Sequence, residues 1–157
     1  MPGTMSARDT MFGSAASCYV TIDGTRYNFA QVISLEAKAE KNKVEVPILG
    51  KMSKGNKATG VKYSGNMTLH YNTSIMRKIM LKYAKEGIDT YFDVQVTNED
   101  KTASVGRQTT MLYDCNLDSI IIAKLDADGE YLDETVDFTF EDWDLPEEFT
   151  MLSVMAA

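Results

Sequence analysis

The chain has 157 residues and a net charge of −7, with 16 basic residues against 23 acids. That length supports one domain with a substantial core and leaves too little for a second. At 44% hydrophobic and 25% charged residues the composition is that of a soluble globular fold, and no run approaches the roughly 18 apolar residues of a membrane helix.

Residues 1–16, "MPGTMSARDTMFGSAA", are mostly small and polar and contain no apolar signal segment. They are expected as a flexible N-terminal arm on a protein made and folded in a cytoplasm. "SCYVTIDGTRYNFA" predicts two short strands around Asp23-Gly24, a pair suited to tight hairpin turns because both positions tolerate positive φ. In "VISLEAKAEK", Ile33, Leu35, Ala37 and Ala39 alternate with Ser34, Glu36, Lys38 and Glu40, the period of a half-buried strand. "NKVEVPILG" extends that strand or starts another, with Pro47 marking an edge or a bend.

Residues 50–65, "GKMSKGNKATGVKYSG", carry four lysines and no acid. Glycines recur every five residues, at Gly50, Gly55, Gly60 and Gly65, which predicts a long, mobile, hairpin-like basic loop over about 41–65. "NMTLHYN" is again a strand, with Met67, Leu69 and Tyr71 on one face. "NTSIMRKIMLKYAKEG" predicts an amphipathic helix over about 74–86, capped by Thr73 or Ser74 and stopped by Gly87. Ile75, Ile79, Met80 and Tyr83 form its apolar stripe, and Arg77, Lys78, Lys82 and Lys85 make the remainder basic.

The chain beyond the helix reads as strand throughout: "DTYFDVQVT", "RQTTMLYDCNL", "SIIIAKL" and, after a turn in "DADGE", "ETVDFTFEDW". In the last, Val136, Phe138 and Phe140 face inward, and Thr135, Asp137, Thr139 and Glu141 face out. An apolar-ended tail follows Pro146. The predicted class is mainly β, a sandwich or barrel-like subunit with one flanking helix, spanning residues 17–149 with a tail at 150–157.

Chemistry-bearing patterns are sparse. Cys18 and Cys115 are expected as two buried thiols, and one histidine, His70, is too few for a zinc cluster. Asp126 and Asp128 begin like a calcium loop but lack its remaining ligands. "GNKATG" lacks the ending of a phosphate loop. No catalytic centre, metal or cofactor is expected. The charge, however, is segregated. Val46 to Lys85 holds eight basic residues and no acid, and Leu112 to the end holds thirteen acids and one lysine. Such bipolarity suits contact between oppositely charged surfaces of one protein, and the acidic block disfavours binding to phosphate backbones.

The run "KATG…SGNMTLHY" into the helix, "VGRQTTMLYDCNLDS" and the closing "DFTFED" resemble the tail-tube proteins of contractile phages, of phage-like elements of Gram-positive bacteria and of R-type bacteriocins. The likeness spans roughly residues 17–148. It implies a structural protein and not an enzyme: a virion or bacteriocin component that forms hexameric rings stacked head-to-tail as a hollow conduit. Its implied partners are copies of itself, a sheath, a tape-measure protein and baseplate or tail-initiator proteins, with DNA only as passing cargo and no membrane. It also implies assembly in the bacterial cytoplasm and release by lysis. With about four strands per subunit, spaced about 4.8 Å and tilted about 40°, a six-fold barrel is roughly 48 Å across at the backbone, wide enough to pass a duplex.

Under this resemblance Lys51, Lys54, Lys57 and Lys62 are expected to dock between subunits or rings. Asp126, Asp128, Glu130, Asp137, Glu141 and Asp142 are candidates for the acidic counter-surface or the lumen. Arg77, Lys78, Lys82 and Lys85 are candidates for a sheath-facing helix. The competing reading is a monomeric β-barrel module for an acidic ligand or nucleic acid, against which stands the near absence of aromatic residues among the loop lysines.

Overall fold

Asp23 and Gly24 adopt φ of 50° and 79°, the paired left-handed conformation of a tight hairpin. They join β1 (Ala16–Ile22) to β2 (Thr25–Asn28). The computed structural model describes residues 3–156, so residues 1, 2 and 157 of the expected arm and tail lie outside the described residues. The other elements are β3 (Val32–Val46), β4 (Gly55–His70), α1 (Ile75–Glu86), β5 (Phe92–Glu99), β6 (Arg107–Ser119), β7 (Asp133–Thr139) and β8 (Asp142–Glu147). The strands form one antiparallel sheet in the order β2-β1-β5-β6-β7-β4-β3, with β8 also on β6.

The sheet folds over itself at β6. The first part of that strand pairs with β5 and β8, and Asn116 to Ser119 pair with β7. Between the two parts Asp114 takes a φ of 54°, a bulge that bends the strand and turns the corner. The two halves of the sheet therefore face each other. Cys18, Val20, Phe92, Val94 and Leu112 from one half meet Met67, Leu69, Val136 and Phe138 from the other in a single core. The Phe92 and Phe138 rings lie 6.4 Å apart across it. A Cβ on Gly65 would stand 2.7 Å from Phe138 Cζ and 2.9 Å from the Glu36 carbonyl oxygen. Glycine here is what lets the Phe138 ring lie against β4.

The helix sits close to its expected bounds. Gly87 ends it at φ 71°, its amide donating to the Tyr83 carbonyl at 2.9 Å. Ser74 occupies the N-cap position without a side-chain cap bond, and Thr73 Oγ1 instead accepts from the Ile75 amide at 3.4 Å. The buried face differs from the expected stripe: Met76 and Ile79 are buried, Ile75 and Met80 pack beside them, and Tyr83 is exposed. Residues 81–86, the last part of the helix, are exposed.

Three other expectations are corrected. "SIIIAKL" is not a strand: β7 already has β6 and β4 on its two edges, so residues 120–132 find no ladder there. Ile120 still packs on the core, while Ile122 and Leu125 are exposed. Residues 142–147 form β8 straight through Pro146. The N-terminal arm is fastened to the β5–β6 connection over its described part. Asp9 accepts from the Ser104 amide and hydroxyl at 2.9 and 2.7 Å, and Asp100 accepts from the Phe12 amide at 3.2 Å.

Candidate assembly surfaces

The longest ladder in the molecule builds its most prominent surface. β3 and β4 stay paired from Val32↔Leu69 to Val46↔Gly55, whereas β4 touches β7 only over Ser64–His70. From Ala39↔Tyr63 outward the two strands thus form an arm with both edges open, projecting about 23 Å at 3.3 Å per residue. The basic stretch expected as a mobile loop is therefore mostly strand. Gly60 and Gly65 fall on opposite faces and each keeps its place in the ladder, opposite Asn42 and Ala37, with Val61 and Tyr63 paired between them. A bulge near Asn42 is tied by Thr59 Oγ1 donating to the Asn42 carbonyl at 3.1 Å.

The true loop is Pro47 to Lys54. It turns at Ile48–Lys51, where the Lys51 amide donates to the Ile48 carbonyl at 3.1 Å and Gly50 takes φ 84°. Leu49 and Met52 are as exposed there as in an extended chain, at 103% and 106%. Lys51, Lys54, Lys57 and Lys62 are all exposed. Lys54 comes no nearer than 4.0 Å to Glu45. Lys62 stands opposite Glu40, whose carboxyl is held below the usual range first by Lys38, 2.7 Å away, and in lesser part by Lys62 itself. The arm is thus basic along its length and apolar at its tip.

β2, β3 and β8 each have one paired edge and one open edge. Beside the open edges of β3 and β8 lies a groove of about 320 Å³ where the two sheet halves splay. Ala37 and Ala39 form one wall, and Leu112, Trp143 and Leu145 the other. Phe140 forms the floor, stacked on Tyr63 at 5.2 Å. The β8 wall is held to β6 by Arg107, which donates to Glu147 at 2.6 Å, and by Thr109 Oγ1, which donates to the same carboxylate at 2.9 Å. Arg107 first, then Thr109, keep the Glu147 carboxyl below its ordinary pKa. Asp142 and Asp144 alternate with Trp143 and Leu145 along β8, exposed and without a cationic partner among the described residues.

The six candidate acids do not form one surface. Asp126, Asp128 and Glu130 lie in the exposed 120–132 connection, before β7. Asp137 is midway along β7, opposite Asn66 and in hydrogen-bond contact with Ser119 Oγ at 3.2 Å. Glu141 lies between β7 and β8, and Asp142 opens β8 opposite Tyr113. With β7 extended, the first group and the last stand at opposite ends of the strand. On the outward face of the sheet Asp137 has Glu36, Lys38 and Asp118 nearby, a mixed field and not a uniformly negative wall.

Arg77 is withdrawn from the basic face of α1. It pairs with Glu134, a carboxylate only 1% exposed, and also donates to the carbonyls of Thr73 and Ile121. Its guanidinium lies 4.4 Å from the centre of the Tyr71 ring. A buried carboxylate requires such a partner, so Arg77 is committed inward, whereas Lys78, Lys82 and Lys85 remain exposed. Glu134 is a residue that the sequence reading passed over. The signal was present, because the phase that points Val136 and Phe138 inward points Glu134 inward too. The groove was less visible, since β8 interrupts no periodic pattern and contains a proline.

An antiparallel sheet folded on itself, with open edges, one side helix and a projecting two-stranded arm, defines a subunit built to join others through its sheet. Residues 3–147 match the family model described as phage tail tube protein, and the chain belongs to that family. It is 39% identical over 146 residues to the phage-like element PBSX protein XkdM of Bacillus subtilis, covering 93% of this chain and 97% of that one. It is 40% identical over 144 residues to the uncharacterized protein YqbM of the same organism, covering 92% and 95%. Two solved structures share the fold at low identity. A chain of the anti-feeding prophage baseplate superposes with a TM-score of 0.67 at 13% identity, over 90% of this chain and 97% of its own. The SPP1 tail tube superposes with a TM-score of 0.61 at 10% identity, over 93% and 83%.

Proposed function

We propose that this tail-tube subunit closes into six-membered rings that stack head-to-tail as the hollow tube of a phage-like contractile particle, with a structural and not a catalytic role. The observation that carries the reading is the set of unpaired edges, on β2, β3 and β8, of one continuous sheet, together with an arm that projects from its own subunit. Open edges of this length invite pairing with another chain, and closure of a ring removes them. The four strands β6, β7, β4 and β3 supply the number per subunit that a barrel of about 24 strands needs. Stacking is a heterologous contact between unlike surfaces and propagates as a filament.

Charge gives the contact its sense. Lys51, Lys54, Lys57 and Lys62 on the arm meet acids of an adjacent copy, and Lys78, Lys82 and Lys85 on α1 face the sheath. Asp137 lies on the face assigned to the lumen, where DNA passes as cargo. A tape-measure protein inside, baseplate or initiator proteins at one end, assembly in the host cytoplasm and release by lysis complete the reading. Its test is negative-stain electron microscopy of concentrated protein, with light scattering alongside. Uniform hollow tubes or stacked rings are expected. Replacing the four arm lysines by glutamate is expected to abolish them while leaving the thermal unfolding of the subunit unchanged. Normal tubes from that variant would refute the role given to the arm charges.

A further inference from the structure

We infer that the strand beyond Phe140 is a switch with two tracks, lying on β6 in the free subunit and crossing to the open edge of β4 when copies assemble; this rests on the tube reading above. Residues 137–147 follow one path along β6. Asp137, Phe138 and Thr139 pair with Ser119, Leu117 and Asn116, the Glu141 amide donates to the Tyr113 carbonyl at 3.1 Å, and β8 continues the pairing to Thr109. Up to Thr139 the same path also pairs with β4, ending at Ser64↔Thr139. There the sheet forks. β4 runs on into the arm with that edge open, and β8 bends away with β6.

The arm edge of β4 matches this strand. One step past Ser64↔Thr139 sets Tyr63 against Phe140, and their rings already stack at 5.2 Å. The same register then sets Lys62 against Glu141 and Gly60 against Trp143. An opposite-charge pair and an aromatic ring over a glycine are both favourable across two strands. Gly60 has only the Asn42 amide group within 4 Å of the place a Cβ would take, so the indole has room there. The β6 track is held lightly by comparison. None of the six residues of β8 is buried, and its ladder slips between Thr109 and Met111. Pro146 has no amide to donate. The Arg107–Glu147 pair that pins the strand is exposed, a kind of pair that contributes little. A short edge strand carrying a proline and acids is also how a sheet is kept from pairing with other chains. On β6, then, β8 guards the subunit; on β4 it adds a third strand to the arm and bares Thr109 to Tyr113 of β6 to a strand of another copy.

Met111 and Asp144 face each other on the β6 track, so a full-length Met111→Cys/Asp144→Cys chain is locked there by oxidation and freed by reduction. Cys18 and Cys115 are buried and stay out of the exchange. The oxidised protein is expected to remain unassembled, by light scattering and negative-stain microscopy, at concentrations where the reduced protein and the parent form tubes, with the same circular dichroism in both forms. In a Val61→Cys/Asp142→Cys chain the two thiols oppose each other only on the β4 track. They are expected to join within one chain in tubes, without a dimer band on a non-reducing gel, and to stay free in the dilute subunit. Arg107→Gln removes the pin and is expected to assemble at a several-fold lower concentration. Locked protein that forms tubes as readily as reduced protein overturns the switch and leaves the tube reading standing. Should the reduced lock variant itself fail to assemble, free thiols in tubes of the Val61→Cys/Asp142→Cys chain overturn the switch instead. A parent chain that stays monomeric at every concentration overturns both.

Discussion

Arg77→Met leaves the Glu134 carboxylate buried with no counter-charge. Glu134 is 1% exposed, and its Oε1 already lacks a hydrogen-bond partner, so its charge rests on Arg77 through Oε2. Arg77 also spans Thr73, Ile121 and the Tyr71 ring, tying the start of α1 and the 120–132 connection to β7. Stripping one partner from a buried ion pair costs about 3–5 kcal/mol. At about 2–4 °C per kcal/mol for a domain of this size, Tm falls by roughly 10 °C. The double variant Arg77→Met/Glu134→Leu removes the orphaned charge along with the pair and is expected to recover most of that loss, since apolar replacement of a buried pair is commonly neutral or favourable. Urea unfolding followed by far-ultraviolet circular dichroism, at dilutions that keep the chain monomeric, measures both variants. A single variant within about 1 kcal/mol of the parent, or a double variant as unstable as the single, refutes the reasoning, because pair-breaking should exceed the typical point-mutant loss.

Gly65→Ala forces a Cβ to within 2.7 Å of Phe138 Cζ and 2.9 Å of backbone, and overpacking of that kind costs about 1–3 kcal/mol; Phe138→Leu in the same chain is expected to relieve part of the clash, as thermal denaturation will register. Burial pushes the Cys18 thiol up to about 11 and the Cys115 thiol up to about 12, with Asp93 and Asp114 adding to the latter. Both are expected to resist thiol reagents at pH 8 until denaturant is added, and fast labelling of the folded chain would contradict that burial. The Asp9 carboxyl is held below its usual 3.8 first by the Ser104 amide, and that of Asp100 first by the Thr102 hydroxyl. A lowered folded-state pKa means stabilisation that is present above the unfolded value and lost as pH falls through the folded one. Amide resonances of Phe12, Thr102 and Ser104 are therefore expected to hold steady from neutrality to about pH 4 and to move only below the ordinary aspartate range; movement near pH 6 would disprove the carboxylate clasp.

Several features were legible because their causes are local. Alternation in residues 135–140, the Asp23-Gly24 turn and the Gly87 stop each depend on neighbouring residues, and each is found where the sequence puts it, whereas in 33–40 only Leu35 and Ala37 keep the inward face and Ile33, at a break in register, is exposed. The separation of eight bases in 46–85 from thirteen acids after 112 is likewise a property of the chain itself. It persists as a basic arm and an acidic β7–β8 end.

What the tertiary structure decided depends on partners distant in sequence. The ladder on β4 continues past the last residue of β7, and that difference in length makes an arm out of what reads as a glycine-rich loop. Three consecutive isoleucines at 120–122 look like a strand, yet both edges of β7 were already taken. A strand exists only where an edge is free to receive it. Arg77 is one of four bases on α1 by sequence, and the placement of Glu134 beneath the helix singles it out. The groove has the same origin: Ala37 and Trp143 are 106 positions apart, and only the fold at β6 turns their strands toward each other and leaves the space between them open.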